Sequence, residues 1–238
     1  MAETRAAKHL ALLHGLALIM LNGAKKGDVC AVTVISTHGK DAEGPIRIII
    51  AKNVPLTEEE RLHANGILQA VQNTESADDL EAMLYQIVPP FCGLKFIERL
   101  ERLQKSLKRL PPIKFLSCRT TEYLLRRLQP NAANIVNTFT DCRNFLERVP
   151  LDTRNFHAVV SLSLLFTSLP DGLKIFSEDT NRQLKAVGEY ALGIDAISQQ
   201  AFERHYAPRR GDLCIEFVCT SFRTHAADTV TTWFPSDN

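Results

Sequence analysis

From Ala6 to Leu21 the chain is almost unbroken leucine and alanine, interrupted by His14 and Gly15 and closed by Asn22-Gly23. Both residue types favour helix, so a first helix is expected there, apolar nearly all round and therefore buried. Two shorter runs, Val29 to Ser36 and Ile46 to Ala51, are rich in β-branched residues and flank a turn-rich connection, His38 to Pro45. They predict an antiparallel hairpin with a long loop. Because each run is nearly continuously apolar, each strand is expected to be covered on both faces, one of them by the first helix.

Past Asn53-Val54-Pro55 the period lengthens. Thr57 and Glu60 stand at capping-box spacing, in which each side chain satisfies an amide of the opening helical turn. From there to about Arg148 the chain reads as mostly helical, with breaks expected at Pro89-Pro90, Pro111-Pro112 and Pro130-Asn131. Leu94, Ile97, Leu100, Leu103 and Leu107 recur at steps of three and four and predict one core-facing stripe with Lys and Arg opposite. Asn155 to Leu169 predicts a buried helix ended by Pro170-Asp171-Gly172. Ser177-Glu178 opens another, to about Tyr206, that carries Gly188 and Gly193 at some cost. The segment Leu213 to Phe222 reads as a strand. The expected class is a helix-rich α+β (α/β) fold, with a small sheet, an N-terminal helix and β-hairpin, flanking helices and a helical insertion at about 57–150. With no repeat period and no low-complexity linker, residues 1–238 are expected to form a single domain.

Composition narrows the classes. With 238 residues, 45% hydrophobic, the chain is long enough for a buried core, which sets aside disorder, collagen-like repeats and coiled coil. A net charge of +1 does not suit a dedicated nucleic-acid binder, whose affinity rests on surplus Lys and Arg. Charge is nevertheless segregated: Thr57 to Pro90 holds seven acids against Arg61, and Gly93 to Pro130 holds ten bases against three acids. The two blocks either face each other in the fold or leave a basic face for an anionic partner. The candidate surface is the helix carrying Lys95, Arg99, Arg102, Lys105 and Lys108.

Six cysteines, the first four scattered singly, read as reduced thiols of a cytoplasmic protein rather than a disulfide framework. Arg5 and Lys8 before the apolar run Leu10 to Leu21 have the look of a secretory leader. Glu3, the interruption at His14-Gly15 and a poor cleavage sequence at Asn22-Gly23-Ala24 favour a buried helix instead. Twelve apolar residues are too few to span a bilayer, so no membrane association is expected.

Phosphate-cradling glycine loops, a serine nucleophile elbow and a His-Glu-x-x-His zinc helix are all absent from the sequence. One constellation remains: Asn155-Phe156-His157-Ala158-Val159 opening a buried helix, then Cys214 and Cys219, then Phe222-Arg223-Thr224-His225 and Trp233-Phe234-Pro235. Preceded by a helix and a hairpin, this order resembles the zinc-dependent nucleic-acid and nucleoside deaminase superfamily, in particular its divergent deaminase-like branch common in fungi. In that family a His-Ala-Glu motif and a later Cys-x-x-Cys pair hold Zn²⁺, which lowers the pKa of a bound water while the Glu shuttles the proton. The resemblance implies His157, Cys214 and Cys219 as metal ligands, with zinc as the cofactor, if the protein is active.

This chain departs from the family pattern in two places. Val159 stands where the proton-shuttling Glu belongs, and four residues rather than two separate the cysteines. Thiols five residues apart leave one face of either a helix or a strand, a poor start for a tetrahedral site. Glu216 has no spacing that would make it a substitute acid. The expected function is therefore a non-catalytic deaminase-like domain that needs no cofactor and binds a protein or nucleic-acid-like anionic partner at the basic helix. The alternatives are an active zinc-dependent deaminase or hydrolase, and a structural helical interaction protein whose charge blocks satisfy each other internally.

Overall fold

A computed structural model describes residues 2–21, 30–35, 46–53, 55–110, 139–168, 176–203 and 213–219. Among these described residues six helices and three strands follow in the order α1 (Ala2–Ile19), β1 (Cys30–Ile35), β2 (Ile46–Lys52), α2 (Glu58–Asn73), α3 (Ala77–Lys108), α4 (Phe139–Arg148), α5 (Phe156–Thr167), α6 (Glu178–Ala201) and β3 (Leu213–Cys219). Helix accounts for 72% of the described residues beside one three-stranded sheet, so the class is helix-rich α+β. By contacts the chain divides into two compact units. Met1–Cys92 with Gly193–Asn238 form a sheet unit, and Gly93–Leu192 form a helical unit. The inserted unit thus begins inside α3 and ends inside α6, where the sequence placed an insertion at about 57–150. Among the described residues no helix is long and apolar enough to cross a membrane.

In the sheet unit β1 and β2 pair antiparallel, Val32 opposite Ile50, and β2 pairs with β3 in parallel, Ile50 opposite Phe217. The alternating pleat puts Val34, Ile46, Ile48, Ile50, Leu213 and Ile215 on one inner face, towards α1 and α2. The other face carries the Arg47–Glu216 ion pair, 3.1 Å long. Cover on both faces of both hairpin strands is not found: Ala31 and Thr33 of β1 are exposed. Among the described residues β1 is an edge strand, and one layer of helices is enough to bury its apolar side. Nor is α1 buried all round, since it sinks Leu12, Leu16, Leu18 and Ile19 but leaves Leu10 68% exposed.

The β2–α2 junction is held by charge. Thr57 caps α2, its hydroxyl accepting from Glu60 N while its own N–H donates to Glu60 Oε2 at 2.8 Å. The other oxygen of Glu60 meets Lys52 Nζ, in an ion pair whose side chains are 0% and 4% exposed. At the end of α1, the Ile19 carbonyl accepts from His63 Nε2 of α2 at 2.9 Å and from the Cys92 thiol of α3 at 3.1 Å. A helix-end carbonyl lacks an intrahelical partner, and here two neighbouring helices supply donors.

Pro89-Pro90 does not break α3. Two prolines inside a helix cost about 3 kcal/mol each. In the sheet unit the stripe Leu80, Leu84, Val88, Phe91 and Cys92 keeps helical phase through them, and its burial outweighs that cost. In the helical unit the stripe is Phe96, Leu100, Leu103 and Leu107, all fully buried, whereas Leu94 is 65% exposed. The expected stripe was out of phase at its first member. Phe96 forms an aromatic cluster with Phe156 and Tyr190, ring centroids 4.7–6.2 Å apart.

Helices α3 and α4 cap one another. Arg143 of α4 donates to the Leu107 and Leu110 carbonyls at the end of α3, and Gln104 of α3 donates to Leu146 and Val149 at the end of α4. Ser177 caps α6, accepting from Thr180 N. The breaks expected at Pro111-Pro112 and Pro130-Asn131 lie outside the described residues.

In the sheet unit α1 meets α6 glycine to glycine: a Cβ on Gly15 would stand 2.7 Å from Gly193 Cα. By contrast, a Cβ on Gly66 of α2 would meet only Ile87 Cγ2, at 3.9 Å. The same Gly→Ala change therefore has opposite signs at the two places. Gly15→Ala is expected to destabilise by about 1–3 kcal/mol through overpacking, and Gly66→Ala to stabilise by about 0.5–1 kcal/mol through helix propensity. Urea denaturation of both variants beside wild type checks this. The junction yields a second expectation. Lys52→Met, which strands a buried carboxylate, should cost about 3–5 kcal/mol. Adding Glu60→Gln, which still completes the capping box, should recover most of that loss.

Candidate functional site

The basic stretch of α3 is mostly engaged within its own unit. Lys95 pairs with Glu98 at 3.2 Å, Arg102 pairs with the same carboxylate, and Lys105 pairs with Glu101 at 2.7 Å. These are exposed pairs three and four residues apart, worth about 0–1 kcal/mol each. The cations around Glu98 hold its carboxyl below the usual carboxylate range, the Lys95 hydrogen bond contributing most.

Arg99 differs from its neighbours. It is 17% exposed, lies 3.5 Å from Glu189, donates to the Ala186 carbonyl and stands 5.2 Å from the centre of the Tyr190 ring. It ties α3 to α6 and leaves the solvent-facing surface that the sequence assigned to it. Lys108 is exposed, and so is Arg109, which sequence reasoning did not place in the patch. The steps from Lys95 to Arg102, Lys105 and Arg109 keep these side chains on one helical face. With Lys108 on an adjoining side, this stretch of chain carries five exposed or half-exposed bases against its own Glu98 and Glu101, a surplus of three positive charges.

The would-be metal ligands are divided between the units. His157 lies in the first turn of α5, in the helical unit, exposed on its outer side, and partial burial lowers its pKa. Val159, where the deaminase family has its acid, is fully buried in an apolar helix. Cys214 and Cys219 lie on β3 in the sheet unit, in register with Arg47 and Lys52. The Cys214 thiol is pushed up by burial and by Glu216 beside it. A Cys-x-x-Cys pair in the family sits on a helix, whereas this stretch is a strand, as its sequence predicts. Among the described residues no three His, Cys, Asp or Glu side chains gather closely enough to hold a metal ion. His225 and Trp233 lie outside the described residues.

Cys30, Cys92, Cys142 and Cys214 are outside any disulfide. Burial and the neighbouring Asp141 push the Cys142 thiol up to about 12, which makes it a packing residue rather than a nucleophile. Compared with family models, curated proteins and solved structures, the chain gives no significant match.

His63 is a buried titrating group of the sheet unit that no sequence signal singled out. It stacks on Phe91, centroids 3.8 Å apart and rings 8° from parallel, and burial lowers its pKa to about 4. The unfolded chain takes up this proton near pH 6.5 and the folded protein only near pH 4. Stability is therefore full above about pH 6.5 and falls as the pH drops towards 4. By about pH 4.5 the loss assigned to His63 is about 2–3 kcal/mol. Urea midpoints at about pH 7 and pH 4.5 should differ less in His63→Gln, which keeps a donor for Ile19 and does not titrate.

Proposed function

We propose that the protein is a non-catalytic binding module that engages an anionic macromolecule through the exposed end of α3. The observation that supports this reading is the capping by Arg143. Cations in a last turn ordinarily serve the carbonyls and negative dipole of their own helix. Here the Leu107 and Leu110 carbonyls already accept from the Arg143 guanidinium. Lys105, Lys108 and Arg109 consequently remain at the surface with no structural duty at that end among the described residues. The weak pairs to Glu98 and Glu101 exchange readily for a phosphate or carboxylate ligand. A deaminase-like ancestry remains part of the proposal, supported by the order of helix, hairpin and His157-bearing helix. Val159, buried and unable to carry a proton, supports a binding rather than a catalytic role.

The test is titration with a short RNA and with an acidic peptide across a salt series. Three ion contacts with single-stranded nucleic acid predict log affinity falling against log salt with a slope of about −2. Lys105→Glu with Lys108→Glu and Arg109→Glu should abolish binding while leaving the thermal transition nearly unmoved. Binding that ignores these reversals would refute this surface, and a collapse of stability would assign the cations to the fold. Elemental analysis of wild type beside His157→Ala discriminates the enzyme reading: one zinc per chain, lost in the variant, would overturn the non-catalytic assignment.

A further inference from the structure

A cavity of about 50 Å³ lies under the inner face of the sheet, entirely within the sheet unit, walled by α1, α2, α6 and all three strands. Leu16, Ile50, Ile67, Val71, Ile197 and Ile215 are among its lining residues, and among the described residues Gln200 is the one polar side chain there. Protein interiors pack as densely as organic crystals and rarely leave voids larger than a water molecule. One water-sized body needs about 10–15 Å³ on this measure, so the cavity has room for roughly three to five. Water is a poor occupant all the same, because it needs two to four polar partners and the lining is almost wholly aliphatic.

The walls hold the space open. α1 and α6 already touch backbone to backbone at Gly15 and Gly193, so neither closes further upon the other. Leu12 and Leu16 of α1, and Ile197 and Ala201 of α6, line the cavity within eight residues of that contact. From below, Ile48 and Ile50 are β-branched and stiff at χ1, and β2 is anchored to α2 by the buried Lys52–Glu60 pair. A void that its walls cannot collapse into, and that water does not fill, is pre-formed for an apolar guest.

We propose that this cavity is a binding site for a small hydrocarbon group, an aliphatic moiety of roughly three to five carbon atoms by that volume, held by shape and dispersion. The probe is cyclopropane, dissolved at increasing pressure over protein carrying ¹³C-labelled Ile, Leu and Val methyl groups. The expected result is saturable shifts confined to the methyls of residues such as Leu16, Ile50, Ile67 and Ile197, with a melting temperature that rises with cyclopropane. Ala64→Leu and the milder Val71→Leu each put methyl groups into the space, and either should weaken binding about tenfold or more. Absence of saturable shifts in folded wild type would overturn the proposal. So would equal binding by wild type and the folded filled variants.

Discussion

A positive charge on the covered face of the sheet is the constraint around which the sheet unit is organised. Lys52 ends β2 on the side that faces the helices, where an ammonium without a partner would be prohibitively costly. Glu60 supplies the partner, and it does so only because α2 begins at Glu58, which brings its third residue over the strand end. The same carboxylate closes the capping box with Thr57. Helix start, strand end and buried charge are therefore a single device, and moving any one of them by a residue would break the other two. The placement of α2 then sets His63 beneath the end of α1, where it joins Cys92 at the Ile19 carbonyl.

The helical unit solves a similar problem with side-chain hydrogen bonds between helix ends. The ends of α3 and α4 each expose carbonyls, and each helix lends the other a side chain, Arg143 in one direction and Gln104 in the other. Apolar packing of Phe96, Phe156 and Tyr190 fills the interior, and Arg99 lies along its edge over the Tyr190 ring. Satisfying the end of α3 from a neighbouring helix is also what leaves its own cations outside. The electrostatic character of that surface thus follows from a packing arrangement rather than from composition.

Much of the local structure was legible. The Thr57/Glu60 box, the β-branched runs, the Leu/Ala helix and the Phe156 helix all rest on residues within a few positions of one another, and the elements formed where those signals stand. The errors share one physical origin, which is tertiary burial overriding a local preference. Pro89-Pro90 reads as a break until the apolar stripe on either side is seen to stay buried. Leu94 reads as core until Phe96 takes its place, and Arg99 reads as surface until Glu189 and Ala186 engage it. Of the candidate site residues, Lys105, Lys108 and Arg109 all stand in the basic block that charge pattern alone picks out, whereas the role of Arg143 could not be found that way.

The order of elements, their types and the antiparallel hairpin were determined by the sequence itself, because periodicity, caps and turn residues act over short stretches of chain. The parallel pairing of β3 with β2 was decided only in three dimensions, since its partners lie more than 160 residues apart and nothing local encodes such a register. The same holds for Gly15 and Gly193. In the sequence they are flaws in two helices, and in the fold they are the place where those helices touch. A glycine's value there is the absence of a side chain between two backbones, a property of the pair that neither helix carries alone.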